Sequence, residues 1–216
     1  MHTARQVARR VGGLDPGLAT GALVVIDRGD RERVLACYSL VEKRGARAHA
    51  LARAKELTES FKGTGTKGWG DVEFLSAELR AKVWADRFFA AFDECETNGY
   101  PIDILAMESF VDLKQNANKM MKNRWMTPLI MGLLIEGLSN REITVESGRL
   151  VYQGSGVVLP QLKVERARLK ARVKADRDLI VPGDRLVTTD HERSALSHAL
   201  ALSQRLPHIS SITTAV

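Results

Sequence analysis

Three acidic positions in this sequence stand where carboxylates could share one chemical task. Asp15 ends the strand-like stretch "ARRVGGLD", Glu108 follows the apolar run "ILAM", and Asp190 precedes His191 at the start of a helical pattern. Functional carboxylates of open mixed sheets gather at strand ends. Carboxylates brought together repel one another unless a cation lies between them. The pattern therefore predicts a site for a hard divalent cation, Mg²⁺ or Mn²⁺, which keeps waters and substrate phosphate as its other ligands.

The chemistry that such a site offers is hydrolysis of a phosphodiester. Two divalent ions can activate a water and stabilise the leaving oxygen. An aspartate followed by a glycine turn, as in Asp15-Pro16-Gly17, also opens actin-like sugar and acetate kinases. Those enzymes need a second, duplicated half, which 216 residues do not hold comfortably.

Each of the first two positions also has a structural interpretation. Asp15-Pro16-Gly17 consists of the usual turn residues. Glu108 could cap a helix or pair with an arginine, since an isolated buried charge is expensive. Taken together with the helix motif, the two positions favour the metal interpretation.

The third position combines two interpretations. Thr189 and Glu192 have the spacing of a capping box. Asp190 in the first turn would also favour the helix dipole. For His191, the roles of metal ligand, general base and exposed residue stay open, whereas His198 is expected to be structural or solvated.

The elements that must position these residues follow from the hydrophobic pattern. Three strands joined by short turns, typical of an antiparallel meander, lie in "ARRVGGLD", "TGALVVIDRGD" and "RVLACYSLVE". Residues 51–61 are weakly helical, and the glycine-rich stretch "KGTGTKGWGD" predicts a mobile loop. Residues 71–99 then carry apolar side chains at spacings of three and four, which predicts a long amphipathic helix.

The second half alternates between strands and helices. The pattern predicts a strand in "YPIDILAMESF", a helix broken near Pro128 in "NRWMTPLIMGLLIEGLSNR", one or two strands in "EITVESGRLVYQGSGVVLP" and a last helix in "TDHERSALSHALALSQRL". We therefore predict a mixed five-stranded α/β sheet, an antiparallel three-strand meander plus parallel strands, flanked by helices. Neither a repeat nor a linker divides the chain, so we expect one domain over 1–216, with flexible termini at 1–7 and 208–216.

Composition is that of an ordinary soluble globular protein, with 44% hydrophobic and 27% charged residues. The net charge of +6 is compatible with a polyanionic partner, although many basic proteins bind no nucleic acid. Cys37 and Cys95 show no metal spacing, which favours free thiols in a reducing compartment. No apolar run is long enough to span a bilayer, so no membrane partner is expected.

Three basic segments are candidates for contacts with a phosphate backbone. Their residues are Lys67 and Trp69 in the glycine-rich loop, Lys114, Asn116, Lys119, Lys122 and Arg124 after Glu108, and Lys170, Arg172 and Lys174 in "LKVERARLKARVKADRD". Trp69 could stack on an unpaired base or pack over its own loop. The last segment could equally be a solvated face.

The segments around the three carboxylates resemble motifs of RuvC-type Holliday junction resolvases, members of the RNase H-like superfamily. "GLDPGLATGALVVID" looks like the opening of that family, and "DILAMESF" resembles its second motif. "TTDHERSALSHALAL" resembles its C-terminal acidic helix, especially in divergent, phage-type members. The resemblance follows the strand order of nearly the whole chain. It implies an RNase H-like fold and a homodimeric, Mg²⁺-dependent endodeoxyribonuclease that nicks branched double-stranded DNA, with Asp15 and Glu108 as metal ligands.

The last helix departs from the family's pattern. The family usually shows two acidic or histidine ligands spaced three apart, but Ser194 follows His191 at that spacing and Arg193 follows Asp190. The C-terminal ligands implied are therefore Asp190, His191 or both, with one carboxylate missing.

The function predicted from the sequence is cleavage of Holliday junctions by two-metal hydrolysis. The alternatives are a non-catalytic junction-binding protein on the same fold and a nuclease for flaps or RNA–DNA hybrids. The resemblance implies a cytoplasmic location, in a bacterial cell or a phage-infected host. Organellar targeting is not expected, because strand-like sequence begins almost directly after the basic N-terminus "MHTARQVARRVGG".

Overall fold

The structure contains the predicted antiparallel meander of three strands. The computed structural model describes residues 8–16, 20–29, 32–60, 72–107, 126–141, 144–145 and 189–206. Its strands are β1 (Arg10–Asp15), β2 (Thr20–Asp27), β3 (Arg33–Val41), β4 (Ile104–Met107) and β5 (Thr144–Val145). Its helices are α1 (Ala46–Ser60), α2 (Val72–Thr97), α3 (Met126–Ser139) and α4 (Asp190–Ser203).

The strands form one mixed sheet in the order β3-β2-β1-β4-β5. The β1–β2 and β2–β3 pairs are antiparallel, and β4 runs parallel to both β1 and β5. The predicted mixed sheet with flanking helices is therefore confirmed. The prediction of five strands is met only in part, because the fifth strand of the described residues is a two-residue edge pairing.

The two faces of the sheet pack against different helices, because successive side chains of a strand point to opposite faces. One face, the α2–α3 face, buries a cluster that includes Leu14, Trp84, Phe88, Phe92 and Leu134. The opposite face, the α4 face, buries a cluster that includes Val11, Ala22, Val24, Ala195 and Ala199. Among the described residues, buried aromatic rings lie in the first cluster and not in the second.

Gly13 sets the distance between β1 and α4. A Cβ atom at this position would lie 1.9 Å from the carbonyl oxygen of Ala195 and 2.6 Å from the amide nitrogen of Ala199. Real Cβ atoms do not approach backbone atoms so closely, so any other residue would push the helix away. The glycine therefore lets the backbone of α4 rest directly on the strand.

Two predicted helix details are corrected by the structure. Helix α3 continues through Pro128 without a break between Met126 and Ser139, because the first turn of a helix does not use the N–H that proline lacks. Helix α1 begins at Ala46, five residues earlier than predicted. Gly45 adopts a φ of +85° just before it, which turns the chain into an alanine-rich segment of high helix propensity.

Several predicted segments lie outside the described residues. They include the glycine-rich loop, the basic segment before α4 and both termini that were expected to be flexible. Among the helices that the structure describes, none combines the length and the apolar character needed to cross a membrane.

Candidate active site

The carboxyl end of β1 meets the first turn of α4. Asp15 lies two residues after Gly13 and therefore on the same face of the strand. His191 lies four residues before Ala195 and therefore on the same side of the helix. Because Gly13 lets Ala195 rest on β1, the preceding helical turn lies over Asp15. The Nδ1 atom of His191 is 3.1 Å from Oδ2 of Asp15.

The Asp15–His191 contact has a defined direction. The Asp15 side chain is 10% exposed and that of His191 is 40% exposed. An ionised carboxylate only accepts hydrogen bonds, so Nδ1 of His191 carries the proton and donates it to Asp15. In the neutral imidazole, Nε2 is then the nitrogen with a lone pair. Such a pair can accept a proton from water through Nε2, or place Nε2 on a metal ion.

Glu192 attaches the beginning of α4 to the sheet and also caps the helix. The residue is fully buried, and its backbone N–H donates to Oγ1 of Thr189 at 3.1 Å. In return, the Thr189 N–H donates to Oε2 of Glu192 at 3.1 Å, which completes the capping box. The other carboxylate oxygen, Oε1, accepts a hydrogen bond of 2.6 Å from the hydroxyl of Ser39 on β3. The capping box and the Asp15–His191 contact therefore exist together.

These contacts attach the first turn of α4 to a single row of the sheet. Asp15 pairs with Ala22, and Ala22 pairs with Ser39 on the other side. Since neighbouring strands lie about 4.8 Å apart, Asp15 and Ser39 are roughly 10 Å apart across β2. His191 and Glu192 thus hold the helix at two points of that row, which fixes its rotation over the site.

The other end of α4 is held by a buried arginine. Arg28 follows β2, and its guanidinium donates to Oγ of Ser203 at 3.1 Å and to the carbonyl oxygens of Ala8 at 2.8 Å and Leu206 at 3.1 Å. Burial lowers the pKa of the Arg28 guanidinium from its usual value. Within α4, His198 is buried, which favours the structural over the solvated of its two expected roles. The helix is therefore fixed at both ends.

The other predicted site residues are either turned away from Asp15 or lie outside the described residues. Asp190 points into solvent, with a side chain that is 85% exposed, and forms an ion pair of 3.0 Å with Arg193 in the next turn. Glu108 lies outside the described residues, as do all ten predicted DNA contacts, from Lys67 to Lys174. Of the four predicted catalytic residues, the structure therefore brings together Asp15 and His191.

The donor set can be compared with the needs of a divalent cation. In the part of the chain that the structure describes, no group of three or more His, Cys, Asp or Glu side chains could hold a metal ion. Mg²⁺ is commonly bound through one or two carboxylates and keeps several waters. Asp15 fits one such position, and a complete site requires a further carboxylate. His191 would reach an ion through Nε2, since Nδ1 is engaged by Asp15.

Sequence patterns did not predict that Ser39 belongs to this site or that it binds Glu192. Ser39 lies in the middle of an apolar strand, and its partner Glu192 is 153 residues away. The capping-box spacing identified Glu192 as a helix-start residue, but the pattern could not show that β3 supplies a hydroxyl to the same carboxylate. The register of β1, β2 and β3 would have been the necessary signal.

Comparison with solved structures identifies the fold. A Thermus thermophilus RuvC structure superimposes with a TM-score of 0.50 at 14% identity, covering 89% of this chain and 92% of that chain. T. thermophilus RuvC in complex with Holliday junction substrate gives a TM-score of 0.50 at 15% identity, covering 89% and 91%. No protein-family model matches the sequence, and no curated protein matches it. The chain therefore has the RuvC fold, as the motif resemblance implied, and at these identities the likeness concerns the fold.

Proposed function

We propose that this protein is a Mg²⁺- or Mn²⁺-dependent endonuclease that cleaves branched DNA of the Holliday-junction type. The observation that carries the proposal is the nearly buried carboxylate of Asp15 at the end of β1, in contact with His191. The RuvC fold supports it, since one of the matching structures is a complex with Holliday junction substrate. The net charge of +6 suits a polyanionic substrate.

The proposed metal ligands are Asp15 and Glu108, with Asp190 and His191 completing the site. The parallel ladder between β1 and β4 pairs Leu14 with Met107. In the sequence, Asp15 follows the first member of that pair and Glu108 follows the second. This order supports Glu108 as the further carboxylate that the metal site requires beside Asp15.

Each residue of the proposed site has a separate role in cleavage. The metal ions, when bound, would supply an activated water and stabilise the leaving oxygen of the phosphodiester. Asp15 contributes negative charge and orients His191 through the bond to Nδ1. His191 Nε2 is then directed away from Asp15 and can take a proton at the exposed side of the pair. Glu192 keeps His191 in this position through the helix cap.

The proposed DNA contacts are the basic and polar residues named from the sequence. They are Lys67, Trp69, Lys114, Asn116, Lys119, Lys122, Arg124, Lys170, Arg172 and Lys174. A homodimer would place two catalytic sites on one branched substrate, which suits symmetric nicking.

A second candidate function is recognition of DNA junctions without cleavage. Two observations favour it. Asp190 is turned into solvent and paired with Arg193, and Ser194 stands where the resembled family has a carboxylate. A protein with this site could retain the DNA-binding surface while holding metal too weakly for hydrolysis.

A cleavage assay on a four-way DNA junction separates the two functions. Asp15→Asn and Glu108→Gln should each lower the cleavage rate roughly a thousandfold or more, because each removes a ligand charge from the metal. Junction affinity, measured without divalent metal, should remain near that of the parent or rise. Asp86→Asn and Glu136→Gln remove exposed carboxylates of α2 and α3 and serve as matched controls.

Two results would contradict the proposal in different ways. Cleavage by Asp15→Asn or Glu108→Gln at the parent rate would remove these residues from the site. Binding of the junction by the parent without nicks, at every Mg²⁺ and Mn²⁺ concentration, would establish the second candidate instead.

A further inference from the structure

The segment between β3 and α1 carries a dense group of cations that the sequence patterns did not single out. Lys43, Arg44 and Arg47 are all exposed, and we refer to them together as the basic turn. The sequence from Lys43 to Lys55 contains five Lys and Arg residues and not one Asp or Glu. The basic turn is therefore a surface of concentrated positive charge.

Contacts with α2 hold the basic turn in place. Glu42, directly before it, accepts two hydrogen bonds from the guanidinium of Arg80, at 2.5 and 2.8 Å, in a largely buried ion pair. The carbonyl oxygen of Val41 accepts a further hydrogen bond from Arg87. Gly45, with its φ of +85°, makes the tight bend into α1. The cations are thus presented from a fixed backbone.

Folding gives no reason for this concentration of charge. Arg47 lies in the first turn of α1, where the structure shows no acidic residue. Cations at the positive end of the helix dipole are unfavourable. Among the described residues, Lys43, Arg44 and Arg47 form no ion pair that would offset this cost. The position of Arg47 therefore adds nothing to helix stability, and the exposed cations of the basic turn are available to bind an anion.

The basic turn and Asp15 both lie at the carboxyl ends of their strands, β3 and β1, and therefore at the same end of the sheet. Strands β1 and β3 run in the same direction, because each is antiparallel to β2. Ser39 stands in the row of Asp15, and the basic turn begins four residues after it. Strand spacing and rise place the turn roughly 15 Å from Asp15. At about 3.4 Å of helix axis per phosphate of one strand, this corresponds to about four nucleotides of a duplex arm.

We propose that the basic turn formed by Lys43, Arg44 and Arg47 binds backbone phosphates of the DNA strand that crosses the Asp15 edge of the sheet. The inference rests on the proposed function, since it takes DNA as the ligand of that edge. It adds a contact surface on the β3 side, distinct from the segments named from the sequence. Phosphate contacts of this kind position the substrate and add affinity that does not depend on base sequence.

The test is the salt dependence of junction binding, measured without divalent metal in the Asp15→Asn background. Arg44→Gln/Arg47→Gln should reduce the magnitude of the negative slope of log affinity against log salt by about two, because each lost phosphate contact reduces it by about one. The matched control is Arg33→Gln/Lys55→Gln, which removes the same charge. Arg33 begins β3, at the end of the strand opposite the basic turn. Lys55 lies two helical turns beyond Arg47. The control should retain the parent slope.

Thermal unfolding provides a second readout. Arg44→Gln/Arg47→Gln should unfold at the parent temperature or above it, since it removes cations from a helix N-terminus. A lower unfolding temperature together with an unchanged salt slope would assign these residues a structural role and overturn the proposal.

Other outcomes also decide the question. An unchanged slope in a parent protein that binds and cuts junctions would overturn this inference and leave the proposed function standing. A parent that binds no DNA would end both. If the basic-turn variant lost sedimentation with vesicles of phosphatidylcholine and phosphatidylserine but kept the DNA slope, the turn would be a membrane contact, and the proposal would be wrong.

Discussion

Gly12 and Gly13 are neighbours on β1, yet a Cβ atom on each would meet a different kind of obstacle. At Gly12, on the α2–α3 side, it would lie 2.6 Å from Cδ1 of Leu105, the end of a flexible side chain. At Gly13, on the α4 side, it would lie 1.9 Å from the backbone oxygen of Ala195. Side-chain ends can move aside, whereas the backbone of a helix must shift as a unit.

This difference indicates that the two faces of the sheet have different roles. The α2–α3 face buries large rings, including Trp84, Phe88 and Phe92, and therefore removes much apolar surface from water. The α4 face fits backbone against backbone at Gly13, and the Asp15–His191 contact depends on that fit. We infer that the first face supplies most of the stability and the second supplies the geometry of the candidate site.

The largest expected effect tests the first half of this comparison. Phe88 is fully buried, so Phe88→Ala should lower the free energy of unfolding by about 3–5 kcal/mol. The Asp15–His191 contact should survive, because it lies on the other face. Urea unfolding measures the stability, and the imidazole NMR signals of His191, assigned with His191→Gln, report the contact.

The control for Phe88→Ala is a phenylalanine of the same helix. Phe74→Ala should have a much smaller effect on stability, since Phe74 is 37% exposed. If folded Phe88→Ala lost the parent shifts of His191, the two faces would not be separable, and the comparison would fail.

Gly13→Ala tests the second half and has an intermediate expected effect. The forced separation of β1 and α4 should lower the free energy of unfolding by about 1–3 kcal/mol. The imidazole signals of His191 should also move toward those of a solvated histidine. Gly12→Ala is the matched control and should leave His191 unchanged, because only the Leu105 and Ile102 side chains have to move. Equal effects of both variants on His191 would contradict the assignment of site geometry to the α4 face.

The sequence predicted those features that depend on local patterns. Alternation and short turns identified β1 to β3, and the position of Asp15 at a strand end followed from the same pattern. The pattern around Pro128 misled, because the position of a proline relative to the first helical turn decides whether a helix continues. The apolar pattern over residues 71–99 also includes Phe74 and Val83, although both are exposed in the structure.

The candidate site depends on features that local patterns do not contain. His191 and Asp15 are 176 residues apart, and their contact requires the close approach that Gly13 permits. The tie between Ser39 and Glu192 depends on the register of three strands. The early start of α1, which creates the basic turn, depends on the backbone conformation of Gly45. These are properties of packing, and sequence spacing alone does not determine them.

The smallest expected effect concerns titratable groups within the α2–α3 face. Burial raises the pKa of the Cys95 thiol to about 11 from its ordinary value of 9.0. Burial, with a hydrogen bond to Tyr100, also raises the pKa of Tyr38. Both groups are neutral when protonated, so the unfolded chain loses these protons first as the pH rises. The contribution of Cys95 is complete below about pH 9 and is lost as the pH approaches about 11, whereas that of Tyr38 begins to fall only above its ordinary pKa of 10.0.

Urea unfolding between pH 8 and 11 measures this loss in the parent, in Cys95→Ala and in Tyr38→Phe. The free energy of unfolding should fall less steeply with pH in each variant than in the parent, because each lacks one group that ionises more readily when unfolded. The comparison within one pH series cancels the titration of the surface lysines, which all three proteins share. A parent and a Cys95→Ala variant with the same pH dependence would show that the thiol is not shielded by the rings. The α2–α3 face would then be less completely closed to water than the burial of Phe88 and Phe92 indicates.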